Sequence, residues 1–321
     1  MKGRNILIIG GTKFIGKLLI DLLLKNGDCV TVFSRSAPVE RQVMHLAGDR
    51  ERPTDMAMLQ HAIQGQVFDV VYDMCAYNLD HAKDLYLVIG DKAKRLVFFS
   101  SAAVYPPTEL FPLRENDPTG LHPSFGDYGT NKAAIESFYT EKCATDDVQL
   151  TIFRPHYILG PGDYFERHQY VLSRIEQHKP IYVPGDGHAL IQFAFSEDVA
   201  KLFFAVPRKQ KAQLEIVNVA GQQYITLVGF VQLFADALGV TVDIRPTDYA
   251  QFGLRNDRFY DDLFLFPNLN LILDCSRATS RYAYKPTPIT EYVPRLVEDW
   301  QRTKQAYKPQ FKEETLFGNT K

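Results

Sequence analysis

Residues 8–17 read IIGGTKFIGK: Ile8, Ile9, Gly10, Gly11, Thr12, Lys13, Phe14, Ile15, Gly16, Lys17. The apolar run 6–9 stops at two glycines, and a third glycine stands at position 16. An apolar run of this kind is a strand covered on both faces, here turning sharply into a helix that starts at Phe14. Gly10 permits the tight turn, and Gly16 lets the helix lie close against the strand. The helix then aims its free N–H groups and positive dipole end at whatever lies over the turn, which suits a pyrophosphate. Directly after a first strand, the pattern is that of a dinucleotide-binding loop, with Gly10, Thr12, Lys13, Phe14, Ile15 and Gly16 as its candidate binding residues. The middle glycine of such a loop is replaced by Lys13.

The pattern continues outward from this loop. Residues 29–35, 70–75, 95–101 and 149–155 are further largely apolar runs, separated by stretches of helical periodicity. Gly27 closes the first helix, 14–25, as a glycine past a helix end does. This alternation predicts an α/β fold: a doubly wound parallel Rossmann sheet with right-handed crossovers. Residues 215–221, EIVNVAG, read as one more core strand. From about Gln222 on, the chain is helix and loop with several prolines, a smaller C-terminal α/β substrate lobe over the carboxyl ends of the strands. The expected division is 1–157 plus 190–221 for the dinucleotide-binding domain and 158–189 plus 222–321 for the lobe.

The second strand ends in Ser34, Arg35 and Ser36. An acid there would bind the adenosine ribose 2′-hydroxyl, as NAD prefers; a basic residue can clamp a ribose 2′-phosphate instead. With Lys13 on the same side, two cations and no acid favour NADP, with NAD as the alternative. The competing reading leaves Lys13 solvated and pairs Arg35 with a nearby acid.

YGTNKAAIE opens a helix on which Tyr128 and Lys132, four residues apart, share a face. A tyrosine of pKa ~10 is no base at neutral pH, but a close ammonium stabilises its phenolate. Lowering that value by about three units takes roughly 4 kcal/mol, which the lysine and an oxidised nicotinamide could supply in a dry site. Upstream, FFSSAAVY ends a core strand; Ser101 would hydrogen-bond the substrate oxygen beside Tyr128, while Ser100 is taken as a strand-end cap.

Composition narrows the classes further. Lys and Arg number 36 against 38 Asp and Glu, a net charge of -2, so nothing global draws the chain to nucleic acid or an anionic membrane. No run approaches a membrane span, and the four cysteines form no CxxC pair. They read as reduced thiols of a cytoplasmic protein; the eight histidines show no ligand spacing, and no metal is expected.

In chain order, GGTKFIG, Ser101, Tyr128 with Lys132, RPHYILGPGD and VPGDGHALIQFAFSEDVAKLFF resemble the extended short-chain dehydrogenase/reductase family, the NAD-dependent epimerase/dehydratases. The resemblance runs from about residue 4 to 302. It implies an enzyme in which Ser101, Tyr128 and Lys132 form the catalytic triad and Lys132 also holds the nicotinamide ribose. It further implies Asp49 at the adenine edge, Ala76 lining the cofactor cleft and Pro155 bordering the nicotinamide. Ala103, His156 and Tyr157 are candidates to face the substrate, with a His156 packed at the domain junction and a Tyr157 filling the space of a sugar nucleotide as the competing readings; Asp163, Tyr164, Arg167 and His168, in the loop after GPG, would border it. Homodimers through helix pairs are usual in that family.

The chain also departs from the family. Tyr157 stands where nucleotide-sugar enzymes carry Asn, and Leu190, Ile191 and Gln192 stand where an arginine grips the diphosphate. A diphosphate without cationic partners binds poorly, so a non-nucleotide carbonyl substrate is the alternative. SSAAVY lacks the Asp-Glu that accompanies 4,6-dehydration. The lysine in the glycine loop, VFSRS and FLFPNLN (264–270) are similar to an atypical branch that includes the chloroplast stem-loop RNA-binding proteins. Several of its members have lost the Tyr-Lys pair. This chain keeps it, and the expectation is an oxidoreductase acting on a secondary alcohol or ketone, a small-molecule substrate rather than nucleic acid. Ser196 is expected to cap the helix whose first turn carries Glu197 and Asp198.

Overall fold

The apolar run before the glycines forms β1 (Asn5–Ile9), and its alternating side chains feed two cores: Ile6 and Ile8 pack on one face, Leu7 and Ile9 on the other. The computed structural model describes residues 3–40, 42–209, 211–258, 266–304 and 316–317. Residues 264–265 of FLFPNLN and most of the chain past Lys304 lie outside the described residues.

After β1 come α1 (Phe14–Lys25), β2 (Cys29–Ser34), β3 (Met44–Ala47), α2 (Pro53–Ala62), β4 (Val70–Asp73), α3 (Leu79–Ile89), β5 (Arg95–Phe99), α4 (Gly126–Thr145) and β6 (Gln149–Pro155). The chain then leaves the sheet through β7 (Tyr157–Leu159), α5 (Arg167–Glu176), β8 (Ile181–Pro184) and β9 (Leu190–Phe195). It returns along α6 (Ser196–Lys209) to β10 (Leu214–Val219). It ends in β11 (Tyr224–Thr226), α7 (Leu227–Leu238), β12 (Ile244–Thr247), α8 (Ser276–Tyr282) and α9 (Ile289–Thr303).

Seven strands make one sheet in the order β3-β2-β1-β4-β5-β6-β10, every pairing parallel. The predicted strands are all present, and 215–221 becomes β10 beside β6. The edge strand β3 escaped the sequence reading, because four residues with His45 among them carry neither a buried run nor alternation. Helices α1 and α6 cover one face, with α8 packed on α6, and α2, α3 and α4 cover the other. Phe153 of β6 stacks on Phe203 of α6 at 4.0 Å.

Register aligns the strand ends that carry function. Ile9 is level with Phe33 and with Asp73, Asp73 with Phe98, and Phe99 with Phe153. The chain runs outward from β1 to β2 and β3, then returns to β4 on the other side, so the topological switch lies between β1 and β4. Crevices at that point, outside the carboxyl ends, are where open α/β sheets take ligands.

Strands β7, β9 and β11 form a small separate sheet, and β8 pairs with β12. With α5, α7 and α9 they enclose their own core, in which Phe193, Phe230, Phe266, Tyr292 and Trp300 pack. Segment 190–195 serves both units: Ile191, Phe193 and Phe195 face this second core, and Ala194 faces the first. Ser196 is the first residue of α6 itself rather than its cap, and its buried hydroxyl has no partner among the described residues. Among the described residues no helix is long and apolar enough to cross a membrane.

Candidate active site

The β1–α1 turn takes positive φ at both glycines, +78° at Gly10 and +70° at Gly11. A Cβ on Gly16 would stand 2.2 Å from the Gly11 carbonyl oxygen, so helix and turn touch backbone to backbone. The α1 N-terminus has no side-chain cap and no acid in its first turn, leaving its positive end uncompensated by the protein. These features fit a pyrophosphate. Lys13 precedes the helix and is exposed, Thr12 and Phe14 are half-buried, and Ile15 is buried in the core beneath the turn. Phe14 holds φ +49° and sets its ring edge-on to Tyr164, 6.2 Å between centroids.

At the end of β2, the Ser34 hydroxyl donates to the Ser36 carbonyl at 2.8 Å and also meets His45, so it belongs to the turn. Arg35 is 77% exposed in its side chain and lies 3.9 Å from Asp49, a loose pairing that leaves most of the guanidinium open. The two residues expected at the adenosine end therefore stand side by side. Ala76 is fully covered and packs in the core, so its methyl does not line an open cleft as expected; Tyr77 after it is half exposed. Pro155 ends β6 as a buried residue level with Val219 of β10.

Helix α4 carries the Tyr-Lys pair. Its buried stripe runs through Gly129, Lys132, Ile135, Glu136, Tyr139 and Cys143, an unusual core face with two charges in it. Gly129 is there because a Cβ would lie 2.2 Å from the Ala103 carbonyl oxygen. That close approach presses α4 against the buried turn 102–104 and brings Tyr128 to Ser101. Lys132, 1% exposed, donates from Nζ to the Phe99 carbonyl at 2.8 Å. Its ammonium lies over three rings, 4.9 Å from the centroid of Phe98, 5.2 Å from Tyr77 and 5.8 Å from Tyr128. Burial pushes the Lys132 ammonium down to about 8, against the opposing pull of Asp73.

Two expectations change here. Tyr128 as a residue is 43% exposed, yet its pKa is raised rather than lowered, because shelter of the phenol itself outweighs the hydrogen-bonding Ser101 hydroxyl and the charge of Arg167. Lys132 meets the Tyr128 ring, and the charges that act most on its own ammonium are those of Asp73, Cys75, Arg50 and Glu136. The second concerns the serines. Ser101 is the cap, accepting the Ala103 N–H at 3.2 Å, which leaves its own proton to donate elsewhere. Ser100 instead donates to Glu136 at 2.6 Å inside a buried network.

That network was invisible in the sequence. Glu136 takes a forked contact from Arg154, 3.0 Å from Nε and 2.6 Å from Nη2. Arg154 also donates to the Tyr105 hydroxyl and the Glu115 carbonyl. A second buried pair sits at the end of β4: Arg50 holds Asp73 at 2.6 Å, and the Tyr139 hydroxyl donates to the same carboxylate at 2.7 Å. Neither Arg50 nor Asp73 belongs to a short motif that would reveal the pairing.

The NAD dependent epimerase/dehydratase family model matches residues 73–220. The chloroplast stem-loop binding protein of 41 kDa b of Arabidopsis thaliana is 31% identical over 286 residues, 83% of this chain and 72% of that protein. The chain belongs to the NAD-dependent epimerase/dehydratase family. A probable GDP-L-fucose synthase of Drosophila melanogaster is 24% identical over 268 residues, 73% of this chain and 81% of that protein. Among solved structures, dTDP-glucose 4,6-dehydratase of Bacillus anthracis in complex with NAD superposes with a TM-score of 0.79 at 18% identity, covering 96% of this chain and all of the other. UDP-glucose 4-epimerase of Thermotoga maritima with UDP-glucose gives 0.77 at 19%, covering 93% and 99%. Both share the fold, and the family whose model matches is one of epimerase/dehydratase-type enzymes.

On the substrate side, this epimerase/dehydratase uses several candidates for structure. His156 donates from Nε2 to the Leu271 carbonyl at 2.7 Å and accepts the Tyr157 N–H at Nδ1, with burial pushing it down to about 3. It is a neutral joint between β6 and the segment at Leu271, with no free nitrogen for substrate. Tyr157 packs on Phe266 at 4.6 Å, and Ala103 is buried under Gly129. Gln192, at the family's arginine position, is buried; it donates to the Gly221 carbonyl and accepts the Leu273 N–H at 2.7 Å. His168 is fully buried, whereas Tyr164 is exposed and Arg167 keeps a partly open edge.

Proposed function

We propose that this enzyme is an NAD(P)-dependent oxidoreductase acting on a secondary alcohol or ketone, with Tyr128 as the acid/base, Ser101 as the donor to the reacting oxygen and Lys132 as the residue that sets their spacing. The observation that carries the reading is Tyr128 with its phenol against the Ser101 hydroxyl, at the same carboxyl end of the sheet as an uncapped helix N-terminus. An oxidised nicotinamide supplies a hydride acceptor and a positive ring when it is bound. Gly10, Gly11 and the first turn of α1 would hold the pyrophosphate through backbone N–H groups. Ser101, which accepts the Ala103 N–H, has its proton free to donate to the substrate oxygen. Tyr128 then takes the hydroxyl proton as the carbonyl forms and returns it in the reverse direction. Lys132, anchored to Phe99, keeps Tyr128 over the end of β5.

For the cofactor we propose NADP over NAD, on the open guanidinium of Arg35 and the exposed Lys13 with no acid ending β2. Mass spectrometry of the dinucleotide that copurifies with the protein tests this: NADP supports the preference, and NAD alone removes it. A tightly kept, fully oxidised dinucleotide indicates epimerase recycling, in which the same carbon is oxidised and reduced; an exchanging site indicates a reductase.

A second reading is favoured by one observation, the stem-loop binding relative at 31% identity. Nucleic-acid binding would give an affinity that falls steeply between two salt concentrations. With a net charge of -2 the expected filter-binding titration shows weak binding at both.

A further inference from the structure

The loop from β7 into α5 brings to the same cleft a cation that the chemistry above does not use. Arg167 opens α5, and its Nη1 meets both oxygens of Asp163, at 3.3 and 3.5 Å. The Asp163 side chain is completely covered, so this is an inward, fixed anchor rather than a surface pair. The guanidinium carbon lies 4.3 Å from the ring centroid of Phe165 and 5.6 Å from that of Tyr157. The other edge is unspent. Among the described residues Nε and Nη2 of Arg167 have no hydrogen-bond partner, and neither is a buried unsatisfied atom. With Nη1 alone engaged and 11% of the side chain still exposed, the guanidinium keeps an unspent Nε–Nη2 edge, the geometry that receives two oxygens at once.

Arg167 lies beside the Tyr128 cleft: Phe165, with its ring 4.3 Å from the guanidinium carbon, packs on Tyr164 at 4.6 Å, and Tyr164 meets Phe14 of the glycine turn at 6.2 Å. The charge of Arg167 also acts on the Tyr128 phenol and on Tyr164. Tyr77, Tyr164 and Phe165 are each about half exposed and wall this space with aromatic faces. Gln192 is consumed by backbone partners, so it offers nothing to a remote diphosphate.

We propose that Arg167 binds an oxyanion on the reacting fragment itself, so that the substrate is a hydroxy or oxo compound carrying a carboxylate or phosphate monoester within a few bonds of the carbinol carbon. This rests on Tyr128 being the acid/base, since the cleft is identified through it. Asp163 offsets part of the arginine charge, which suits one oxyanion rather than a diphosphate.

The test is calorimetric titration of the dinucleotide-loaded protein with D-glucose, D-glucuronate and D-glucose 6-phosphate, a matched neutral, carboxylate and phosphate series. At least one anionic sugar is expected to bind tenfold or more tighter than glucose, and which one identifies the oxyanion. Arg167→Lys, which keeps a charge beside Asp163, should cut that margin several-fold. Arg167→Met combined with Asp163→Asn, which strands no buried charge, should erase it while glucose and dinucleotide affinities stay within twofold. Equal affinities for all three sugars in the wild type, or a margin that survives the double substitution, overturns the proposal. Tyr128→Phe separates it from the reading beneath: the margin should persist while dinucleotide reduction, followed at 340 nm, is lost. Full reduction by Tyr128→Phe would sink the acid/base assignment and leave the anion margin as an independent result.

Discussion

Lys132 donates to the carbonyl of Phe99, two residues before Ser101, at 2.8 Å. The contact ties the helix bearing Tyr128 to the strand end bearing Ser101, and it places a lysine in a site from which water is excluded. Lys132 therefore acts here first as a tether, with its charge held in check by burial.

That burial has a pH signature. The folded-state pKa, about 8, lies below the ordinary 10.5 of lysine, so between these values the unfolded chain binds one proton more than the folded one. The cost of the buried ammonium is fully present below about pH 8 and is relieved as pH rises toward 10.5. Wild type should accordingly gain stability relative to Lys132→Met by a few kcal/mol across that window, read from denaturant midpoints at pH 7 and pH 10. A constant difference between the two proteins at both pH values would contradict the burial argument.

The Glu136–Arg154 fork should dominate the stability of the sheet's carboxyl end. Breaking a buried pair by removing one partner strands the other, at a cost of about 3–5 kcal/mol. Glu136→Gln and Arg154→Met should each fall in that range, and the double substitution should cost clearly less than their sum. Additive losses in urea unfolding would mean that the two side chains do not share one network.

Much of this organisation was legible in the chain. Buried parallel strands are continuous apolar runs, and glycines mark the turns between strand and helix, so β1, β2, β4, β5, β6 and β10 could be read directly. The lobe was less legible, because β7 and β11 are three residues long and β8 and β12 four, too short for a period to show. At the site, residue identity gave Ser101, Tyr128 and Lys132, but not which side chain each charge would meet. Arg50 and Asp73 lie 23 positions apart, and only the fold makes them a pair. Ser100 and Ser101 are adjacent and chemically alike; the direction each faces at the strand end decides their different partners.

The glycine turn makes a steric prediction. Gly16→Ala would drive a methyl into the Gly11 carbonyl at 2.2 Å, and backbone cannot step aside as a flexible side chain can. Dinucleotide affinity should fall by at least tenfold, with a loss of about 1–3 kcal/mol in stability, as overpacking typically costs. Normal affinity in equilibrium dialysis would show that the turn has room to spare.

At the adenosine end, Arg35→Ala should weaken NADP by about tenfold, the lower end for a charged hydrogen bond because the side chain is 77% exposed, and should leave NAD nearly unchanged. Equal losses for the two cofactors in parallel titrations would remove the phosphate-clamp argument.

The central claim is that the Tyr128 phenol shares its pocket with the nicotinamide. The protein alone holds that phenol above the ordinary tyrosine value, so the positive ring of a bound oxidised cofactor must reverse the sign. The direct measurement is the titration of Tyr128, assigned by comparison with Tyr128→Phe, by NMR of ring-labelled tyrosine with and without saturating oxidised NADP. The account predicts a pKa above 10 without the cofactor and a fall of at least one to two units with it. An unchanged Tyr128 titration in the saturated protein would contradict it.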